Sequence, residues 1–168
     1  DVSSVTNMNY MFLQTNVFNG DISGWDVSNV LGMGQMFLGA EAFNQDLSSW
    51  DVSNIRGMGG MFSEATSFNG DISGWDVSNV QTMNGMFSRA SSFNADISGW
   101  DVSSVRDSYN SEWDTYSYGM GYMFEYATSF NQDLSSWCVE DIPSFPLDFD
   151  TNATSWTESR PIWGTCPQ

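Results

Sequence analysis

The residues best suited to chemistry in this sequence are aspartates that recur at a fixed interval. Four of them follow a tryptophan within the stretch W-D-V-S, at Asp26, Asp51, Asp76 and Asp101, and Asp1 begins a further D-V-S. Such a row can bind cations weakly, because calcium takes oxygen ligands and tolerates irregular geometry. The row can also contact a partner. A structural role, in which each carboxylate is solvated or bonded to neighbouring hydroxyls, is the remaining interpretation.

The composition gives little support for catalysis. The chain of 168 residues contains no histidine, so a serine or cysteine nucleophile would lack its commonest base. A glycosidase needs two carboxyls in different environments, whereas each repeated aspartate has equivalent copies. We therefore expect a protein that is not an enzyme and has no cofactor, calcium being the one candidate. An acid-pair glycosidase is the alternative in the enzyme class.

The charge balance restricts the partners. The chain has 21 acidic residues against 4 basic ones, which gives a net charge of −17. Nucleic acid and anionic membrane surfaces would repel it. No apolar run approaches the roughly 18 residues of a membrane span. We expect a protein or glycan partner, no nucleic acid and no direct membrane insertion, with membership of a large assembly left open.

A repeat of 25 residues positions the aspartates, since D-V-S occurs at residues 1, 26, 51, 76 and 101. Methionine falls at the eighth and eleventh places of each unit, phenylalanine at the twelfth, F-N at the eighteenth and nineteenth, and tryptophan at the end. A period of this size is typical of solenoids and related arrays. Stacked units would bury these apolar residues in one continuous core.

Each unit combines two spacings. M-G-Q-M-F-L-G-A (33–40) has apolar residues at i, i+3, i+4 and i+7, which predicts a short helix. Ile22-x-x-Trp25-x-Val27 has the L-x-x-L-x-L spacing of a leucine-rich repeat and predicts a short strand. We therefore expect an α/β solenoid, leucine-rich-repeat-like, with one short strand and one short helix in each 25-residue unit.

This strand would determine where the aspartates point. If Trp25 and Val27 face the core, Asp26 faces outward, because side chains alternate along a strand. Stacking would then align the carboxylates in a column about 4.8 Å apart. A second set follows the repeated asparagines, where we expect turn-forming hydrogen bonds to nearby backbone amides. It consists of Asp21, Asp46, Asp71, Asp96 and Asp133.

The repeats resemble those of the BspA-like leucine-rich-repeat surface proteins, a family that includes Mycoplasma lipoproteins and proteins of marine microalgae. The resemblance covers residues 1–137, with an interruption, and is carried by FNGDISGWDVSNVQTMNGMFSRASSFNADISGW (68–100). M-x-x-M-F, F-N-x-D and W-D-V-S recur there together. The tail WCVEDIPSFPLDFDTNATSW is similar to the closing segment of algal members. The resemblance implies a cell-surface or secreted interaction role and no known chemistry.

The fifth unit is interrupted by an insertion of 12 residues within 106–119. Insertions in repeat proteins emerge as loops on one face, often the binding face. Exposed tyrosine and tryptophan are common interface anchors, so we regard this insertion as the best candidate for a partner-specific contact. Its aromatic residues are Tyr109, Trp113, Tyr116 and Tyr118. The alternative is that they fold back and bury themselves against the repeats.

The last part of the chain departs from the repeat. Pro143 and Pro146 indicate that the repeat ends, so we expect a solenoid at 1–137 and a C-terminal cap at 138–168. Cys138 and Cys166 predict one disulfide that closes this cap, without a metal site. Because no cap precedes Asp1, we expect further repeats or another element on the N-terminal side.

The predicted disulfide implies an oxidising compartment. Asn152-Ala153-Thr154 is an N-glycosylation sequon, which agrees with that setting. We expect an extracellular or cell-surface location, with the oxidising lumen of an organelle as the alternative. The expected function is a non-catalytic interaction or structural module, a fragment of a larger surface or assembly protein. A carbohydrate-binding adhesin is the main alternative.

Overall fold

The structure is a computed structural model that describes residues 1–110 and 115–167. Its regular elements are two short strands, β1 (Ser108–Asn110) and β2 (Thr115–Ser117), which pair antiparallel. The described part of the chain contains no helix and no other strand. The prediction of an α/β solenoid with one short strand and one short helix per unit is therefore wrong. The units are made of tight turns instead.

Successive 25-residue units lie on one another as coils, joined by hydrogen bonds between corresponding places. The coils begin at residues 1, 26, 51, 76 and 101. Alternate amides of one coil donate to carbonyls of the next, as from Met33 to Gly57 (3.2 Å) and from Phe37 to Met61 (2.9 Å). Parallel bridges run through the seventh places, from Asn7 to Gly32, Gly57 and Thr82. The backbone is thus paired along the stack rather than within helices.

Positive φ angles explain why the helical spacing does not produce a helix. In the second coil the tenth and fourteenth places, Gln35 and Gly39, have φ of 54° and 70°, and both places have positive φ in every coil. An α-helix needs negative φ throughout, so each such residue ends the helical turn. The amides of Met36 and Ala40 bond three residues back, to Met33 and Phe37. Consecutive turns therefore reproduce the i, i+3, i+4, i+7 spacing with the same inward face.

The expected strand is also a pair of turns. D-I-S-G-W and D-V-S-N-V (21–30) are two copies of one five-residue turn. In each copy the fifth amide bonds the second carbonyl, from Trp25 to Ile22 at 3.1 Å and from Val30 to Val27 at 2.9 Å. The second and fifth residues pack toward the core and the aspartate starts the turn at the surface. The aspartates therefore face outward because they initiate turns, and not because of strand alternation.

The predicted core is confirmed. Trp50, Trp75, Trp100 and Trp137 are at most 4% exposed, and the paired methionines are buried in every coil except the first, where Met11 is 44% exposed. Phenylalanines stack in two columns along the coils, with Phe37 and Phe62 at 5.4 Å between ring centroids. Equivalent residues thus pack on their own copies, which keeps the coils in register.

The C-terminal segment continues the stack instead of ending it. Amides of the fifth coil donate to it in the usual pattern, from Phe124 to Phe149 (2.8 Å) and from Tyr126 to Thr151 (2.8 Å). Pro143 and Pro146 therefore do not prevent a further, irregular coil. Trp156 packs edge-on against Phe130, with ring centroids 4.7 Å apart. The division into domains at 1–137 and 138–168 stays a prediction.

The predicted disulfide between Cys138 and Cys166 is present. Cys138 lies in W-C-V-E-D-I, at the place that aspartate has in W-D-V-S-N-V, and the Ile142 amide bonds the Val139 carbonyl as in the regular turns. The disulfide therefore connects the start of the sixth coil to the end of the described chain.

Candidate functional site

The aspartates that follow tryptophan are held by serines two residues further along. Asp26 Oδ1 accepts from the Ser28 amide (3.1 Å) and from the Ser28 hydroxyl (2.6 Å). Asp76 and Ser78 are joined in the same way. The remaining pairs are Asp1 with Ser3, Asp51 with Ser53 and Asp101 with Ser103. All these carboxylates are exposed.

These hydrogen bonds stabilise the charged carboxylate. The Ser28 hydroxyl, with the Ser28 amide second, lowers the pKa of Asp26 from its usual 3.8, and Ser78 lowers the pKa of Asp76 in the same way. The row of aspartates thus has a structural role in the turns. A carboxyl whose pKa is lowered is a poor proton donor at neutral pH. It also does not supply the raised pKa that one member of a catalytic acid pair needs. Calcium binding and partner contact at this row stay predictions.

The second set of aspartates forms the predicted turn hydrogen bonds. Asp21 Oδ1 accepts from the amide (2.9 Å) and hydroxyl (2.7 Å) of Ser23. The same contact to the amide two residues on is made by Asp46, Asp71, Asp96 and Asp133. The Ser48 amide lowers the pKa of Asp46, which neighbouring Asp71 opposes slightly. The turn-forming role of this set is confirmed.

Asparagines have a larger role than the sequence indicated, because they join the coils. The backbone N–H of Asn44 donates to the side-chain Oδ1 of Asn19 at 2.9 Å. The backbone N–H groups of Asn69, Asn94 and Asn131 each donate in the same way to the asparagine of the preceding coil. The feature of the sequence that could have indicated this role is the F-N pair, which recurs at the eighteenth and nineteenth places of every unit. Its regular interval is explained by this continuous ladder, which extends to the Thr157 amide at 2.6 Å.

The described surface also has a shallow cavity of about 400 Å³ that sequence reasoning missed. We call it the glycine trough, because its floor consists of Gly32, Gly34, Gly57 and Gly59 from the second and third coils. Its lining also includes Tyr10 and Gln35 from tenth places and Leu31 and Arg56 from sixth places, which we call its walls, together with Asn9 of the first coil and Thr82 of the fourth. The sequence signal was the G-x-G pair in each of these two coils, at residues 32–34 and 57–59.

The described part of the insertion in the fifth coil consists mainly of two paired strands, the arms of a β-hairpin. In β1 and β2, Ser108 pairs with Ser117, Tyr109 with Tyr116, and Asn110 with Thr115. The side chains of Tyr109 and Tyr116 are outside the described part of the chain, and so is the whole of Trp113. Tyr118 is half-buried and has contacts of its own.

The hairpin emerges on the side of the stack where the trough lies. Met83 donates to the Gly119 carbonyl at 2.7 Å, as Met58 does to Thr82 at 3.0 Å. Gly119 therefore occupies the seventh place of its coil, in line with Gly57 and Thr82 of the trough. The Asp107 carboxylate accepts from the Gly119 amide at 2.8 Å and closes the base of the hairpin. The non-repeated element and the trough thus share one face of the protein.

Asn152 of the sequon is exposed and has φ of 61°, at the fourteenth place of the sixth coil. Its surface position is compatible with modification, which stays a prediction. No helix among the described residues is long and apolar enough to cross a membrane.

Comparison with known proteins gives one match. Neither a curated protein nor a solved structure matches the chain. A family described as "Mycoplasma protein of unknown function, DUF285" matches residues 1–75, 21–111 and 108–165. The third match runs into the C-terminal segment, which agrees with the sixth coil seen in the structure. Since these matches together cover nearly the whole chain, the protein belongs to the DUF285 family.

Proposed function

We propose that this protein is a non-catalytic interaction module of the cell surface or the secretory pathway, which binds another protein or a glycan. The observation that carries the proposal is the β-hairpin, the one element that interrupts the regular coils among the described residues. A stack of coils is rigid and presents long faces, which suits recognition of a partner. The hairpin makes one of these faces unlike the others.

The resemblance to the BspA-like surface proteins, which is more specific than membership of the DUF285 family, supports the same role. The repeats resemble those of the BspA-like surface proteins through M-x-x-M-F, F-N-x-D and W-D-V-S. Cys138 and Cys166 form a disulfide, and such bonds persist in oxidising compartments. Together with the exposed sequon at Asn152, these features favour an extracellular or cell-surface location, with an organelle lumen as the alternative.

A binding role is favoured over an acid-pair glycosidase by the environment of the acids. Seven aspartates have a lowered pKa, each because of a serine two residues further along. A glycosidase needs instead one carboxyl whose pKa is raised above that of its partner. Equivalent, well-bonded carboxylates suit a repeated turn better than an active site.

The hairpin can be removed without disturbing the coils. The carbonyl of Arg106 would be only 2.6 Å from a Cβ added at Gly119, so the two ends of the insertion meet. Excision of residues 107–118 restores the uninterrupted repeat, since Arg106 and Gly119 occupy the sixth and seventh places. We expect this variant to keep the melting temperature of the parent within a few degrees.

The test is capture of partners from an extract of the source organism, followed by mass spectrometry and by direct titration of the purified partner. The parent chain should retain a partner that both the excision variant and Trp113→Ala/Tyr116→Ala lose. A partner retained equally by all three chains contradicts a contact through the hairpin. Capture of nothing by any chain, from extracts of several growth stages, contradicts the interaction role.

A further inference from the structure

We propose that the glycine trough binds a glycan that contains uronic acid, with one sugar carboxylate on Arg56. The inference rests on the proposed interaction role and deepens it by naming a ligand class. The trough lies on the same face as the hairpin, but no described residue of the hairpin lines it. Four features of the described residues carry it: the paired backbone of the floor, the spare room at Gly57, the free guanidinium of Arg56, and the exposed apolar walls.

All four carbonyls of the floor glycines are already hydrogen-bonded along the stack. The Gly57 carbonyl accepts from Met33 (3.2 Å) and the Gly59 carbonyl accepts from Gln35 (2.8 Å). The Gly34 amide donates to Asn9 Oδ1 at 2.7 Å. Addition of an extended peptide strand needs free carbonyls as well as free amides, and the carbonyls of the floor are not free. The Asn9 side chain lies against Gly32 and Gly34, and the Asn84 side chain lies against Gly59, so the half-buried Gly57 is the part of the floor that is open to the C–H face of a sugar ring.

Gly57 keeps the trough open although packing does not require a glycine there. A Cβ added at Gly57 would meet only Thr82 Cγ2, at 3.8 Å, and Gly57 does not have a positive φ. The same place holds Asn7 in the first coil and Thr82 in the fourth. Gly59 differs, since its added Cβ would lie 2.5 Å from Asn84 Oδ1. A side chain at residue 57 would thus fill the trough without disturbing the coils.

The positive charge of Arg56 is not paired with any acidic group among the described residues. Its side chain is exposed and has no hydrogen bond or ion pair with any described residue. Arg160 by contrast pairs with Asp150 at 2.9 Å, and Arg89 lies over the ring of Tyr126 at 4.6 Å. No acidic residue lines the trough within the described ranges. A planar guanidinium in this position can bind a carboxylate through two parallel hydrogen bonds.

The walls add an aromatic ring and an apolar side chain. Tyr10 is 56% exposed and Leu31 is 51% exposed, although both flank the same cavity. Tyrosine offers a flat apolar face and a hydroxyl, which together suit a ring that is apolar on its faces and polar at its edge. The Gln35 amide can both donate to and accept from sugar hydroxyls.

The overall charge selects among acidic glycans. At a net charge of −17 the protein repels a densely charged polyanion over long range. At physiological salt the Debye length is about 8 Å, so a single carboxylate held against Arg56 is screened from most of the other charges. A uronic acid has one carboxylate per ring, which fits this local contact better than a polysulfated chain does.

The test is calorimetric titration of the full chain with short oligomers of a hexuronic acid, at physiological ionic strength. The matched probe is the same oligomer with its carboxyl groups methyl-esterified. We expect saturable binding of the acid and at least about tenfold weaker binding of the ester, because a charged hydrogen-bonded contact is lost. Equal affinities for the two probes, or no binding of either, overturn the proposal.

Three variants locate the site. Arg56→Gln, which introduces the residue found at Gln81 in the same place of the next coil, should abolish the preference for the acid. Gly57→Thr, which copies Thr82, should lose both probes while the melting temperature stays that of the parent. Arg106→Gln is the control, since Arg106 has the same place two coils further on but does not line the trough. An equal loss in Arg106→Gln, or unchanged binding in Gly57→Thr, contradicts the assignment.

Failure of this inference can be told apart from failure of the proposed function. The chain without residues 107–118 should bind the uronic acid oligomer as the parent does, because no described residue of the excised segment lines the trough. If the parent chain does not bind uronic acids but captures a partner through its hairpin, only the proposal of a glycan site in the trough is contradicted. Loss of uronic acid binding in the excision variant refutes the separation of the two surfaces.

Discussion

The indole Nε1 of Trp75 donates a hydrogen bond of 3.0 Å to the carbonyl of Leu47, 28 residues earlier in the chain and one coil below. Trp50, Trp100 and Trp137 make the same contact to the coil that precedes each of them. The tryptophan therefore fills the core and also joins adjacent coils through a polar atom. This double role explains why tryptophan closes each unit of the repeat.

Replacing Trp75 by phenylalanine should lower the free energy of unfolding by about 1–3 kcal/mol, from the lost hydrogen bond and the space left by the smaller ring. Trp25→Phe is the matched control, since the indole of Trp25 is half-buried and makes no hydrogen bond to the described residues. Chemical denaturation of both variants measures the difference. Equal losses at the two positions would show that the contact to Leu47 contributes little.

The substitution Glu64→Gly should raise the free energy of unfolding slightly. Glu64 is exposed with φ of 59°, whereas Gly39 has the corresponding place in the preceding coil with φ of 70°. Relief of the left-handed strain, about 1–2 kcal/mol, exceeds the cost of about 0.5–1 kcal/mol from the greater freedom of glycine in the unfolded chain.

Glu41→Gly provides the control, because Glu41 is an exposed glutamate without a positive φ. It should lose at least about 0.5–1 kcal/mol, since the unfolded-state effect of glycine adds to the loss of the 3.4 Å hydrogen bond from Asn16 Nδ2 to Glu41 Oε1. Thermal melts should therefore show a raised melting temperature for Glu64→Gly and a lowered melting temperature for Glu41→Gly. A destabilised Glu64→Gly would mean that its side chain contributes more than its backbone strain costs.

The pairing of Ser78 with Asp76 should make part of the stability depend on pH. The Ser78 hydroxyl lowers the pKa of Asp76 below 3.8 in the folded protein. A lowered folded-state pKa stabilises the fold above the unfolded-state pKa, and this stabilisation disappears as pH falls through the folded-state value. Ser78→Ala should therefore be less stable than the parent at pH 7, by less than about 1 kcal/mol because the carboxylate is exposed.

The difference between Ser78→Ala and the parent should shrink as pH falls below about 3.8, the usual pKa of the aspartate. Comparing the two chains at each pH cancels the general relief of repulsion when acidic residues are protonated. Ser104→Ala is the control, since the Ser104 side chain makes no hydrogen bond to the described residues. A gap that stays constant from pH 7 to pH 2.5 speaks against the Asp76 contact as its source.

Removal of the disulfide should destabilise the C-terminal coil. Cys138 and Cys166 are 28 residues apart, and the chain-entropy model gives about 3–4 kcal/mol for a loop of that length. We expect Cys138→Ser/Cys166→Ser to melt lower than the parent, and a reducing agent to lower the melting temperature of the parent alone. Identical melting of both chains under oxidising conditions would show that the coil is held by its packing on Phe124 and Phe130.

The sequence by itself determined the repeat, the inward residues and the disulfide. The 25-residue period placed methionine, phenylalanine and tryptophan in one core, and the tryptophans that close the second to fifth units are buried. The turn contacts of Asp21 and its equivalents could be predicted because an aspartate two residues before a serine has a short, local hydrogen-bonding choice. These features depend on neighbours in the chain or on simple burial.

The tertiary structure alone decided the backbone conformation and the surface. M-x-x-M-F-x-x-A has the spacing of a helix, yet Gln35 and Gly39 adopt positive φ because half of the amides bond the next coil rather than their own. The trough follows from the same stacking, since Tyr10, Leu31 and Arg56 come from three different coils. Contacts between coils are absent from any single unit, so no local pattern could reveal them.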